Sequence, residues 1–136
     1  MSDAIRVGVN GAGGRMGRRI VALTHADPAL EVAAAVDAEA SGLVGQDIGE
    51  LAGIGTIGIA VEETLPEDVD VVIDFSLPDG TDALLKALNG VPLVIGTTGL
   101  SEKTSRAISD YALSCPVVRA TNFATGVVLL NELARL

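Results

Sequence analysis

Cysteine occurs once in the 136 residues, tryptophan not at all, tyrosine and histidine once each, and phenylalanine twice. Each scarcity excludes something. With Cys115 alone, no intramolecular disulfide can form, and a reducing compartment, the cytoplasm, is the expected setting. Cys115 precedes Pro116 at an expected strand start and has no histidine near it in sequence, so it reads as a small buried residue rather than a nucleophile. Nine basic residues stand against eighteen acidic ones, a formal charge of -9. That leaves no basic face for a nucleic acid. No apolar run approaches the length of a membrane span, and the N-terminus lacks a signal-peptide pattern. The near absence of aromatics leaves Val, Ile, Leu and Ala to build the core of one domain, residues 1–136.

Glycine, in contrast, is abundant, with 16 in all. The densest stretch runs from Asn10 to Gly17. An apolar run, Arg6-Val7-Gly8-Val9, precedes it, and apolar residues at helical spacing follow it: strand, turn, helix. Gly11 is placed to start a turn whose backbone angles a β-carbon forbids. Gly13 or Gly14 then lets the main chain come close enough for its N–H groups to meet a diphosphate at the positive end of the helix. Gly17, one turn on, removes a side chain where the helix must lie against its strand. The spacing Gly11-x-x-Gly14-x-x-Gly17 departs from strict G-x-G-x-x-G, because Met16 occupies the last position of that pattern. Glu31 to Val36 reads as a second strand ending at Asp37, where an acid can accept hydrogen bonds from a ribose hydroxyl. Arg15, in the first helical turn, can pair with the phosphates.

Along the chain the spacing predicts a first helix from Arg15 to about Ala26, with Met16, Ile20 and Leu23 as its buried stripe and Arg18 and Arg19 outside it. His25, at its far end, is expected to be a C-terminal-turn residue and not an acid or base. Ser41 to Gly58 carries six glycines and reads as a long irregular, partly mobile loop over the adenosine side of a cleft. Gly58 to Val61 is expected to be a short strand, and Glu62 to Glu67 a turn or brief helix. Val69 to Phe75 is nearly all β-branched, the mark of a central parallel strand covered on both faces. A helix with Leu84, Leu85 and Leu88 inward follows, then a strand from Pro92 to Ile95. Next come a helix from Ser101 to Ser114 with Ile108, Tyr111 and Ala112 inward, a strand from Pro116 to Ala120, and an apolar helix from Gly126. Strands alternate with helices throughout, which predicts an α/β fold with a doubly wound parallel sheet, Rossmann-like. In such sheets ligands bind beyond the carboxyl ends of the strands. Four turns converge there: Gly11 to Gly17, Phe75-Ser76, Gly96 to Gly99, and Ala120 to Phe123. Gly96, Thr97 and Thr98 let a nicotinamide ribose approach closely, Asn122 offers donor and acceptor to a carboxamide, and Phe123 can wall the ring.

Gly11-Ala-Gly-Gly-Arg-Met-Gly17, Val72-Ile-Asp-Phe-Ser76, Val94-Ile-Gly-Thr-Thr-Gly99 and Thr121-Asn-Phe-Ala-Thr-Gly126, in this order and spacing, resemble the cofactor domain of the bacterial dihydrodipicolinate reductase family of the diaminopimelate and lysine pathway. The resemblance covers essentially the whole chain. It implies that Gly11, Ala12, Gly13, Gly14, Arg15 and Met16 hold the pyrophosphate and Asp37 the adenosine ribose. Phe75, Gly96, Thr97, Thr98, Ala120, Thr121, Asn122 and Phe123 would serve the nicotinamide half. The implied reaction is hydride transfer from NADH or NADPH to a cyclic imine-type dicarboxylate, with loss of water.

Two departures from that family shape the expectation. Many members carry an arginine directly after the ribose-binding acid, where it can meet a 2′-phosphate, and here that residue is Ala38. NAD(H) is therefore expected over NADP(H), with Arg15 able to reach the extra phosphate. The family's histidine pair, its lysine and its substrate-gripping segment belong to a second, catalytic and tetramer-forming domain that is absent here. Cofactor binding without turnover is the expectation, the small dicarboxylate substrate requiring the missing domain. Apolar residues of the last helix such as Val128 and Leu136 would then be exposed, inviting self-association into a homo-oligomer. Two other readings fit the same cleft: a non-catalytic NADH-sensing module, and the cofactor domain of another amino-acid-pathway dehydrogenase such as a homoserine or aspartate-semialdehyde dehydrogenase.

Overall fold

The structure, a computed structural model, describes residues 3–135; Leu136, expected to be exposed, lies outside them. Parallel pairing joins six strands: β1 (Ile5–Asn10), β2 (Leu30–Val36), β3 (Val61–Glu62), β4 (Val71–Asp74), β5 (Leu93–Ile95) and β6 (Val117–Arg119), in the order β3-β2-β1-β4-β5-β6. Between and after them run α1 (Arg15–Ala26), a 3-10 turn (Glu39–Ser41), α2 (Ile48–Leu51), α3 (Pro78–Ala87), α4 (Glu102–Tyr111) and α5 (Thr125–Leu133). This is the doubly wound, Rossmann-like dinucleotide-binding fold, whose strand order reverses between β1 and β4. No helix among the described residues is long and apolar enough to cross a membrane.

Two aliphatic clusters cover the two faces. Val7, Val9, Val21, Ile48 and Val61 pack into one, and Val72, Leu84, Leu93, Ile95 and Ile108 into the other. The period-two alternation of strands explains the split, since Val71 and Ile73 lean on the first cluster while Val72 belongs to the second. In β2 the register against β1 skips Ala33, Val7 pairing with Val32 and Gly8 with Ala34. This is a bulge of one residue.

Several expectations are corrected. On α1 the buried stripe is Gly17, Val21 and Thr24; Met16 and Leu23 are each just over half exposed. Small residues face inward there because the helix lies close upon the glycine loop, which leaves no room for Met or Leu. Ala112, past the end of α4, is exposed. The strand expected over 58–61 joins the sheet only at Val61–Glu62, with Ala60 in an isolated antiparallel bridge to Asp47, and of the turn or brief helix expected next, residues 63–67 take the non-helical form.

Ser41 to Gly58 is irregular apart from the one-turn α2, but it is ordered around one side chain. Asp47 caps α2 and accepts from the amides of Gly49 (2.9 Å), Glu50 (3.2 Å), Ile57 (3.2 Å) and Gly58 (2.7 Å). Ile48, fully buried, anchors the segment in the core. Desolvation works to raise the Asp47 pKa, but the four amides together outweigh it and hold the carboxyl below the ordinary aspartate value.

Elsewhere the Tyr111 hydroxyl clamps the entry to β5, donating to the Val91 carbonyl (2.7 Å) and accepting from the Val91 amide (2.8 Å). Burial, with Cys115 beside it, pushes that hydroxyl above its ordinary value. Cys115 is buried, as expected.

Candidate functional site

Because every strand is parallel, the turns after β1, β4, β5 and β6 share one rim, and their contacts bind them together. Gly11 has φ +74°, and a β-carbon there would meet the Phe75 carbonyl oxygen at 2.5 Å and Ser76 Cα at 2.7 Å. Gly96 lies against the Phe75 ring so closely that a β-carbon would overlap it. The Ser76 amide donates to Thr97 Oγ1 (3.0 Å), and the Phe75 and Phe123 rings stand 5.9 Å apart, tilted by 53°.

Within the glycine loop the amides are unevenly committed. Those of Gly11 and Ala12 donate to the Val36 carbonyl (2.9 and 3.0 Å), and that of Gly14 to the Gly11 carbonyl (3.1 Å). Gly13 donates to Asp37 Oδ2 (2.8 Å), and Asp37 Oδ1 accepts from Ala38 (2.8 Å). The N–H groups of Gly13 and Gly14 are thus committed within the protein. In this loop and the turn that follows it, the described amides without a partner are those of Arg15, Met16 and Gly17, the first turn of α1, which has no side-chain cap. Arg15 is exposed and forms no ion pair among the described residues. Arg18, expected to lie outside the buried stripe, donates from Nε to the Gly13 carbonyl (2.7 Å) and braces the loop.

This loop, Asp37, Ala38, Ser41, Leu43 and Phe75 line a cleft of about 550 Å³. Leu43 covers Gly13 so tightly that a β-carbon there would collide with it. A second hollow of about 230 Å³ lies alongside, sharing Asn10, Asp37, Ala38, Asp79 and Gly80 with the first. Its further walls include Val36, Leu65, Ala83, Leu84 and Ala87.

The expected nicotinamide turns lie on the same rim but beyond Phe75, outside these hollows. Thr97 is buried and Thr98 exposed. The Ala120 amide extends β6 by donating to the Ile95 carbonyl (3.1 Å). Thr121 and Asn122 are exposed, and Asn122 Oδ1 accepts from the Ala124 amide (2.8 Å), ordering the approach to α5.

Sequence reasoning passed over Asp74, Asn10, Thr81 and Leu43. Asp74 gave one signal, a charge inside a run of buried aliphatic residues; Leu43 gave none. Among the described residues no group of His, Cys, Asp and Glu is arranged to hold a metal.

Residues 5–123 match the family described as dihydrodipicolinate reductase, N-terminus. The chain is 44% identical over 135 residues to the 4-hydroxy-tetrahydrodipicolinate reductase of Halorhodospira halophila, covering 96% of this chain and 51% of that protein. It is 45% identical to the reductase of the same name from Acinetobacter baylyi (100% and 51%) and 47% identical to that of Alkalilimnicola ehrlichii (96% and 51%). The chain thus spans about half the length of the curated relatives it matches. Among solved structures, the aspartate semialdehyde dehydrogenase of Candida albicans with NADP shares the fold, with a TM-score of 0.59 at 20% identity, over 85% of this chain and 42% of that one.

Proposed function

Since the chain belongs to the dihydrodipicolinate reductase family, as its N-terminal part, we propose that it binds the nicotinamide dinucleotide with which such an enzyme reduces 4-hydroxy-tetrahydrodipicolinate. The observation that carries this reading is the first turn of α1, whose three unpartnered amides follow directly on Gly13 and Gly14, Gly13 itself being bonded to Asp37. A helix N-terminus with free N–H groups suits a diphosphate, with Arg15 adding a cation. Each oxygen of Asp37 accepts one amide and keeps a lone pair for a ribose hydroxyl. The apolar hollow lined by Val36, Leu65 and Leu84 suits a flat base. The diphosphate then lies on residues 14–17, and the nicotinamide extends past Phe75 towards Gly96 to Thr98 and Asn122.

A reduced nicotinamide held there would supply the hydride that, with one proton, replaces the hydroxyl the substrate loses as water. What this chain adds is placement: the Phe75–Phe123 pair walls the ring, and Gly96, lacking a side chain, lets the Phe75 ring seat against the turn after β5. No histidine or lysine lines either hollow. His25 closes α1, and Lys103 stands beside Arg106 and Asp110 on α4. We therefore assign cofactor binding without turnover to the chain alone, in a cytoplasmic setting that suits a buried thiol.

A carboxylate at the ribose, followed by Ala38 rather than a cation, disfavours a 2′-phosphate by like-charge repulsion. Calorimetric titration is expected to show NADH binding about tenfold more tightly than NADPH, a difference of about 1.4 kcal/mol. Equal affinities would overturn the preference, absence of binding by either would overturn the cofactor reading, and NADH oxidation by the chain alone with substrate present would overturn its assignment as non-catalytic.

A further inference from the structure

Resting on the reading of the rim as a dinucleotide site, we propose that Asp74 is a positioning residue that sets the spacing between the diphosphate end and the nicotinamide end. Asp74 closes β4 with no exposed surface. A buried carboxylate is costly unless its oxygens are fully bonded, and this one is surrounded by donors. Oδ1 accepts from Asn10 Nδ2 (2.9 Å), from Ser76 Oγ (2.7 Å) and from the Ser76 amide (3.2 Å), while Oδ2 accepts from Thr81 Oγ1 (2.5 Å).

The donors come from three elements: the end of β1, the turn after β4 and the first turns of α3. Asn10 is the residue from which the glycine loop departs, and its amide also reaches the Gly80 carbonyl (3.3 Å). Ser76 passes the connection onward, its amide being shared with Thr97 Oγ1. A continuous polar path thus runs from the glycine loop through Asp74 and Ser76 to the turn after β5. A dinucleotide gains affinity because its second half binds within the effective concentration fixed by the first. That gain depends on the distance between subsites. Loosening the path therefore costs the whole ligand more than either half.

The test uses the full chain, with NADH and ADP as probes, at a temperature where circular dichroism shows every variant folded. Asp74→Asn and Thr81→Val, both near-isosteric, are expected to weaken NADH about tenfold while ADP changes by less than about twofold. Thr81→Ser keeps the hydroxyl and restores NADH affinity. Thr104→Val is the matched control: Thr104 is also buried and donates to Asp82 Oδ1 (2.7 Å), between α4 and α3, and lines neither hollow. It is expected to lose thermal stability and keep NADH affinity. The proposal is overturned if Thr81→Val binds NADH like the parent chain, or loses NADH and ADP in equal proportion. If Asp74→Asn does not fold, the Thr81 pair decides alone. A parent chain that binds neither NADH nor ADP would refute the cofactor reading instead.

Discussion

Gly17 has main chain on the side where its β-carbon would go. A methyl there would overlap the Gly11 carbonyl oxygen and stand 2.7 Å from Ala12 Cα. Neither is the tip of a flexible side chain, so the helix itself would have to move. Gly17→Ala should lower stability by about 1–3 kcal/mol despite the better helix propensity of alanine. It should also weaken NADH, because the amides of Arg15 and Met16 ride on that turn; chemical denaturation and titration would read the two effects. Gly11 and Gly17 were legible in the sequence, Gly11 through the positive φ its turn demands and Gly17 through crowding by main chain of the same motif. What fills the space at Gly13 was not, because Leu43 arrives from a distant segment that carries no local pattern announcing it. Hydrophobicity alone chose Met16 and Leu23 as the inward face of α1, whereas the close approach of helix to loop selects Gly17, Val21 and Thr24.

At the scale of elements, the segment from Ser41 to Gly58 shows how a single carboxylate can organise a stretch with few long apolar residues. Asp47 holds amides on both sides of the α2 turn, and Ile48 beside it is fully buried. Because the folded-state pKa of Asp47 lies below its unfolded value, the stabilisation it lends is fully present above about pH 4. It is lost as pH falls through the lower folded value. Asp47→Asn should therefore flatten the acid limb of a stability-against-pH curve, and should speed hydrogen exchange at Gly49 and Gly58 at neutral pH. A parent-like acid limb in the variant would refute this. The strands of the sheet were readable from β-branched runs, and the four turns from their glycines and hydroxyls. This segment was not, because its order depends on one side chain bonding backbone up to Gly58, which leaves no periodicity.

At the scale of the molecule, α5 stands apart from both core clusters. Val128, Leu129, Leu130 and Leu133 are all more than half exposed. Such a patch favours association between copies. Replacing Leu129, Leu130 and Leu133 by Gln should raise the concentration at which sedimentation still shows a monomer, while shifting the thermal midpoint by less than about 2 °C, since these side chains bury little. A large fall in the midpoint would mean that α5 packs onto the domain in solution.

The strand order also divides the molecule. Residues 5–62 build β1, β2 and β3, residues 71–119 build β4, β5 and β6, and the ladder between β1 and β4 joins the two blocks. The rim turns are shared out likewise, the glycine loop and Asp37 on one block and Phe75, Thr97 and Asp74 on the other. A polypeptide severed among residues 63–68 would thus yield two pieces, each carrying an incomplete receptor. Fused to a pair of interacting proteins, they would make a complementation reporter whose output is the fluorescence of captured NADH.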